Sequence, residues 1–206
     1  MFVNRIEAGK RLGERLINYQ GMQGLVIGLS RGGVVVAKEV AKKLSLPCDV
    51  LVVKKLSGSG DPELAIGAVA PDGVSMIDAE LAHIVGLAKQ HLQKVIKEKS
   101  ALVKQKTQLY RKGRVPLVVK DKTIIIVDDG AATGATMEVA VKWLKRKHAH
   151  RIIAALPVAP SDIIRKLQPE VDELIVLETP DEFGSVGQFY QHFNQVEDEE
   201  VIQLLS

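Results

Sequence analysis

Two adjacent carboxylates, Asp128 and Asp129, close a run of β-branched residues, Ile124 to Val127, and open a run of small ones, Gly130-Ala-Ala-Thr-Gly-Ala-Thr136. Adjacent acids at a strand end repel each other unless a cation or a set of hydroxyls joins them. The vicinal hydroxyls of a ribose can do that, because each donates a hydrogen bond to a carboxylate. The small residues that follow let backbone N–H groups approach an anion closely. Those groups lie at a helix N-terminus, where the macrodipole favours negative charge by roughly 0.3–2 kcal/mol. Thr133 and Thr136 add hydroxyl donors. Sugar hydroxyls beside a phosphate describe a sugar 5-phosphate. A phosphate-binding P-loop would need Gly-Lys-Ser/Thr, which is absent, and a dinucleotide fingerprint puts its glycines before its acid. Here the acids come first, and neither has an evident structural need for its charge.

A second constellation, Gly28-Leu-Ser-Arg-Gly-Gly33, follows the first apolar run. Arg31 beside Ser30 and the pair Gly32-Gly33 suits a pyrophosphate, with a guanidinium for charge and glycines for exposed N–H groups. No general base stands out. His83, His91, His148, His150 and His192 show no ligand spacing beyond a weak His-x-His pair, and they read as surface or core residues. Cys48 opens an apolar run and reads as a strand residue rather than a catalytic thiol.

Both constellations must be held by alternating strands and helices. Asn4 and Glu7 have capping-box spacing before a helix over 5–19. A buried strand over 25–29 leads into a helix from the glycine pair to Leu44, then a strand over 48–53. Residues 57–62, rich in glycine and serine, read as a loop and candidate lid. Pro71-Asp72-Gly73 is a turn between two strands, so that 57–77 forms a loop and hairpin. A long helix spans 78–111. After it come strand 123–127, helix 134–147, strand 151–156, helix 161–167, strand 173–177, an aromatic tail over 179–193 and a short helix over 198–205. This alternation implies parallel strands with right-handed crossovers, hence an α/β fold with an open, mainly parallel sheet flanked by helices. Ligands of such sheets bind at the carboxyl ends of strands.

The segment from Ile124 to Thr136 resembles the thirteen-residue signature of type I phosphoribosyltransferases: an apolar strand, two acids, small residues, then Thr-Gly-x-Thr. The resemblance implies that Asp128 and Asp129 bind the ribose hydroxyls and serve as catalytic residues. It implies that Gly130, Ala131, Ala132, Thr133, Gly134, Ala135 and Thr136 wrap the 5-phosphate of 5-phosphoribosyl-1-pyrophosphate. Ser30, Arg31, Gly32 and Gly33 stand where the family carries its pyrophosphate loop. Lys54 and Lys55 stand where it often has basic residues facing pyrophosphate. Mg²⁺ is the implied cofactor, with Asp128 and Asp129 reaching it through water rather than as direct ligands. From Leu25 onward the chain is similar to stand-alone bacterial-type members of the family, in Glu63-Leu-Ala-Ile-Gly-Ala68 and in the Val186-Gly-x-x-Tyr-x-x-Phe193 tail. The implied fold is one phosphoribosyltransferase domain over 1–206 with a small hood at 178–196.

The implied reaction displaces pyrophosphate from C1 of the ribose by a nitrogen nucleophile, with a nucleobase-like acceptor. The tail segment Pro180-Asp-Glu-Phe183 is similar to one that covers the purine in hypoxanthine-guanine enzymes, which makes Phe183 the first candidate to stack on an acceptor and Tyr190 the second. No Lys follows strand 151–156 to read a 6-oxo group, so a 6-oxopurine is not the expected acceptor. The alternative is a regulator that senses phosphoribosyl pyrophosphate and binds RNA or protein through the basic helix from Lys94 to Lys112, whose lysines at 94, 97, 99, 104 and 106 make a basic face. A net charge of +3 in 206 residues gives no support for nucleic acid on its own. The single cysteine allows no internal disulfide and fits a cytoplasmic setting. The start lacks a signal-peptide core, no apolar run is long enough for a bilayer, and a homodimer is compatible with the fold.

Overall fold

The computed structural model describes residues 1–57, 65–84 and 89–206. A five-stranded sheet, in the order β2-β1-β6-β7-β8, forms its centre, with β1 at Gly24–Leu29, β2 at Cys48–Leu51, β6 at Thr123–Val127, β7 at Arg151–Val158 and β8 at Glu173–Glu178. Every neighbouring pair is parallel. The expected open parallel α/β architecture is therefore the observed one.

The central strands are buried on both faces, and their sequences have the β-branched runs that this requires. Ile124 and Ile126 face a core built with Met137, Ala140, Leu144 and Ile163, from α5 (Ala135–Arg146) and α6 (Ser161–Leu167). The other face is covered by α1 (Arg5–Arg15) and α2 (Gly32–Leu44). Asn4 caps α1, its Oδ1 accepting from the Glu7 backbone N–H at 3.0 Å. Ile125 and Val127 pack on that side with Leu12 of α1, Leu16 just past its end, and Val36, Val40 and Leu44 of α2. Each fully buried Ile or Leu contributes roughly 1.5–3 kcal/mol.

This layering fixes where a ligand can bind. From β1 the chain crosses by α2 to β2 on one side, and from β6 it crosses by α5 to β7 on the other. The two helices lie on opposite faces, so the loops after β1 and β6 diverge and leave a crevice between them. That is the topological switch point of an open sheet. The loops in question are 30–33 and 128–134, the two constellations picked out above.

Two differences from the sequence reading lie in the strands. The apolar run 48–53 is not one strand. Pairing with β1 stops at Leu51, and the chain turns into β3 (Lys54–Ser57) of a separate antiparallel sheet with β4 (Ala65–Val69) and β5 (Ser75–Ile77). Val52 and Val53 stay buried through the crossing, which is why hydropathy does not reveal it. The hairpin thus becomes the outer part of a three-stranded sheet. The long helix appears as α3 (Ala79–Ile84) and α4 (Lys89–Tyr110), with 85–88 outside the described residues. Strand β7 continues through Pro157 to Val158, where Val158 O still accepts from the Ala131 N–H at 3.0 Å. The lid expected at 57–62 lies beyond the described residues from 58 onward. Helix α7 (Asp198–Leu205) closes the chain against α2 and α4.

Candidate active site

A cleft of about 650 Å³ opens at the switch point. Its lining brings together Ser30, Arg31 and Gly32 after β1, Lys54 and Lys55 of β3, Asp128 to Gly134 and Thr136 after β6, and Gly184 to Gly187 with Phe193 of the tail. Gly33 and Ala135 stand just behind this surface, at the starts of α2 and α5.

The acids occupy the middle. Asp128 Oδ1 accepts from the Asp129 backbone N–H at 2.9 Å, and its Oδ2 accepts from the Thr136 hydroxyl at 3.3 Å. Burial, and then the neighbouring Asp129 charge, push the Asp128 carboxyl well above its ordinary value, against the smaller pull of those two hydrogen bonds and of Lys55. Asp129 is held differently. Its Oδ2 accepts from Arg5 Nε at 2.7 Å, and its carbonyl accepts from the Tyr190 hydroxyl at 2.6 Å. Arg5 Nη1 also donates to the Asn194 carbonyl at 2.8 Å, and its guanidinium lies 3.8 Å over the Phe193 ring. The expectation that neither charge has a structural partner is thus corrected for Asp129, which Arg5 neutralises.

The glycine pair does more than expose N–H groups. A Cβ on Gly32 would lie 1.9 Å from Asp129 Oδ2, and one on Gly33 would lie 2.8 Å from Asp128 Cα. Only bare backbone lets the start of α2 come this close to the acids. At the other end, α5 is preceded by its cap Gly134, a left-handed residue (φ 72°) that supplies no side-chain hydrogen bond. The N–H groups of that first turn have no intrahelical acceptor and are left for an anion. Behind the turn, Glu138 is buried and pairs with Lys166 of α6 at 2.7 Å.

The cationic end holds Arg31, Lys54 and Lys55. Lys54 is half-buried, and burial together with the Arg31 and Lys106 charges lowers its pKa. Buried Ser30 Oγ has no hydrogen-bond partner, as a group awaiting a ligand would. Arg31 is not free: Nη1 lies 3.4 Å from Glu197 Oε2 and 3.7 Å from Asp198 Oδ1.

The aromatic candidates fare differently from expectation. Tyr190 is buried between Phe2 and Phe193, with centroids at 5.3 and 5.0 Å, and points its hydroxyl at the Asp129 backbone. Phe183 packs on Phe189 at 4.9 Å and is not part of the cleft lining. Phe193 is the ring that reaches the cleft. Cys48 lies on β2 outside it, its thiol pushed up to about 12 by burial. All five histidines are exposed and outside the lining.

Arg5 and Phe193 are the site residues that sequence reasoning missed. The signal that existed was indirect: two adjacent acids need a cation, and an arginine next to the Asn4 cap was available.

Among the described residues no group of three or more His, Cys, Asp or Glu side chains could hold a metal ion. The donor set in the cleft is one carboxylate pair, half of it committed to Arg5. That fits Mg²⁺, which keeps its waters and is bound by one or two carboxylates with ligand phosphates, and does not fit a protein-caged ion. No helix of the described residues is long and apolar enough to cross a membrane.

Comparison with known proteins identifies the family. The family model described as a phosphoribosyl transferase domain matches residues 4–190. A Mycobacterium tuberculosis protein (strain H37Rv), named "Putative phosphoribosyl transferase", is 38% identical over 205 residues, covering 100% of this chain and 46% of its own length. The chain therefore spans about half the length of that relative. The ribose-phosphate pyrophosphokinase of Pyrococcus furiosus is 32% identical over 135 residues, 64% of this chain and 46% of that one. Among solved structures, the protein TT1426 of Thermus thermophilus superposes with a TM-score of 0.81 at 34% identity, over 99% of this chain and 97% of that chain.

Proposed function

Because the chain belongs to the phosphoribosyl transferase domain family, we propose that its cleft binds 5-phosphoribosyl-1-pyrophosphate and transfers the phosphoribosyl group to a nitrogen acceptor of nucleobase kind, with release of pyrophosphate. The observation that carries this reading is the order of chemistry along the cleft: cations and an orphaned hydroxyl after β1, two acids in the middle, uncapped N–H groups after β6. A 5-phosphate on residues 131–136, ribose hydroxyls on Asp128 and Asp129, and pyrophosphate on Ser30 to Gly33 with Lys54 and Lys55 would run along it in that order.

On this reading the residues act by position and charge. Thr133, Thr136 and the first-turn N–H groups anchor the 5-phosphate, which fixes the sugar relative to the acids. The C1–O bond breaks as the C1–N bond forms, and pyrophosphate leaves with the electron pair. Arg31 and Lys54 stabilise the charge that grows on that leaving group, and Lys55 adds to the field. Asp129, fixed by Arg5, has Oδ1 left for a ribose hydroxyl. Mg²⁺, when bound with the substrate, would be held through its waters by Asp128 and Asp129 and would supply further charge neutralisation. Phe193, with Val186 and the 184–187 backbone, forms the wall on which a planar acceptor would rest.

The regulator alternative loses part of its surface, because Lys99 and Lys106 are half-buried, whereas Lys94, Lys97, Lys104 and Lys112 are exposed. The cytoplasmic setting and the nucleobase class of acceptor belong to this proposal. The direct test is a panel of nucleobases and small amines assayed for pyrophosphate release with Mg²⁺ and 5-phosphoribosyl-1-pyrophosphate. Release that depends on one acceptor supports transfer. Tight substrate binding with no release across the panel, and RNA binding that falls steeply with salt, would favour the regulator.

A further inference from the structure

The basic residues of α4 do not form one solvated face. Lys99, Val103, Lys106 and Tyr110 recur at helical spacing on the side that packs inward, with Val103 and Tyr110 buried and the two lysines half-buried. Lys94, Lys97 and Lys104 point outward and are exposed. Lys106 reaches the cationic end of the cleft through Asp198, and Lys99, two turns before it on the same side of α4, is near enough for its charge to act on Lys54. Asp198, at the head of α7, connects the groups: it accepts from Lys106 Nζ and, at 2.5 Å, from the Tyr110 hydroxyl, and its Oδ1 lies 3.7 Å from Arg31. Glu197 adds a second carboxylate at 3.4 Å from Arg31. Lys54, which lines the cleft, lies within the field of Arg31, Lys106 and Lys99, with Asp198 acting against them. No ion pair of Lys99 is found among the described residues.

Arg31 and Lys106 are matched by Glu197 and Asp198. The positive charge that remains at this end of the cleft is that of Lys54 and Lys99, with Glu199 nearby on the tail, and like charges brought together there favour an added anion. Glu197 and Asp198 come from the tail and approach the guanidinium as a phosphate oxygen would. We propose that the pyrophosphate end of the site extends onto α4, where Lys106 and Lys99 join Arg31 and Lys54, and that Glu197 and Asp198 hold Arg31 and Lys106 until the incoming pyrophosphate group replaces them. The proposal rests on the phosphoribosyl-pyrophosphate reading of the cleft and adds to it a set of ligands and a built-in competitor. It predicts that removing a tail carboxylate strengthens binding, whereas a tail that merely anchors α7 would weaken or leave it.

The experiment is calorimetric titration with inorganic pyrophosphate and, separately, ribose 5-phosphate, at one fixed Mg²⁺ concentration. The proteins are the wild type, Glu197→Gln, Lys99→Met, Lys106→Met and Lys104→Met. Glu197→Gln should bind pyrophosphate roughly two- to fivefold more tightly, the range expected from removing an exposed ion pair that competes. Lys99→Met and Lys106→Met should each weaken it by about threefold or more. Lys104→Met removes the same charge from the outward side and should leave it within about twofold, and ribose 5-phosphate should bind all five alike. Glu197→Gln binding no more tightly than the wild type overturns the proposal, as does a Lys99→Met that matches Lys104→Met. If ribose 5-phosphate binds but pyrophosphate binds none of the proteins, the proposal fails and the sugar-phosphate half of the reading stands. If neither ligand binds, both fall.

Discussion

Removing Arg5 should injure the site although Arg5 lies 124 positions from Asp129 in the chain, because its side chain ties the first helix to the central acids. Arg5 and Asp129 are 11% and 15% exposed, with Nε and Oδ2 at 2.7 Å. A hydrogen bond between charged groups contributes roughly 1.5–3 kcal/mol, and stripping one partner from a buried pair costs roughly 3–5 kcal/mol. One edge of this pair faces the cleft, so a coupling near the lower range, about 2 kcal/mol, is expected. Arg5→Ala also loses the stack over Phe193, worth roughly 0.5–2 kcal/mol, for a total of about 3 kcal/mol. For a chain of this size that corresponds to a melting point lower by roughly 6–12 °C. The assay is a double-mutant cycle of Arg5→Ala and Asp129→Asn, read by urea denaturation. In the wild-type background Arg5→Ala should cost about 3 kcal/mol, and in the Asp129→Asn background only about 1 kcal/mol. A coupling energy near zero would refute the assignment of Arg5 to Asp129.

Further outcomes follow from the same contacts. Gly32→Ala puts a methyl 1.9 Å from Asp129 Oδ2; equilibrium titration should show ligand affinity falling by tenfold or more, on the order of 1.4 kcal/mol, and an unchanged affinity would mean that the glycine pair does not shape the site. Asp128 has its pKa raised by burial and by Asp129, so between the ordinary value of 3.8 and its own higher one the folded chain carries a proton that the unfolded chain has lost. This residue therefore makes stability fall as pH rises through that window, by up to about 1.4 kcal/mol per unit, and Asp128→Asn should flatten the slope in denaturation curves taken across it. Phe193→Leu should raise the Michaelis constant of an active acceptor, whereas Phe183→Leu should lower the melting point with acceptor kinetics unchanged; the reverse pattern would return the acceptor to Phe183.

The candidate site was legible in the sequence where its parts are contiguous. Ile124 to Thr136 holds strand, acids, loop and helix start in one stretch, so residue types and order state the geometry without knowledge of the fold. Ser30 to Gly33 was readable for the same reason, and the alternation of apolar runs implied the parallel sheet that sets the two loops side by side. What escaped reading depends on distant chain. Arg5 reaches Asp129 across 124 positions, and the Asn194 carbonyl that steadies it lies 189 away. The tail aromatics announced themselves, but which ring faces the cleft depends on the path from Ser185 to Phe193, where Tyr190 pairs in a bridge with Phe2. Lys54 and Lys55 were placed at a strand end, yet they begin a second sheet, because the buried Val52 and Val53 carry the apolar run across the crossing. The division of the α4 lysines into inward and outward sets was available from helical period alone, through the apolar partners Val103 and Tyr110.

The central claim is that the switch-point cleft binds 5-phosphoribosyl-1-pyrophosphate with its ribose on the paired acids. Calorimetric titration of that compound with Mg²⁺ into the wild type and into Asp128→Asn tests it most directly, because Asp128 touches no cation that the fold needs and the amide keeps its shape. Saturable binding of one ligand per chain, weakened by about tenfold or more in a variant that melts no lower than the wild type, is the predicted result. Equal affinity in the two proteins, or no saturable binding by the wild type, would contradict it.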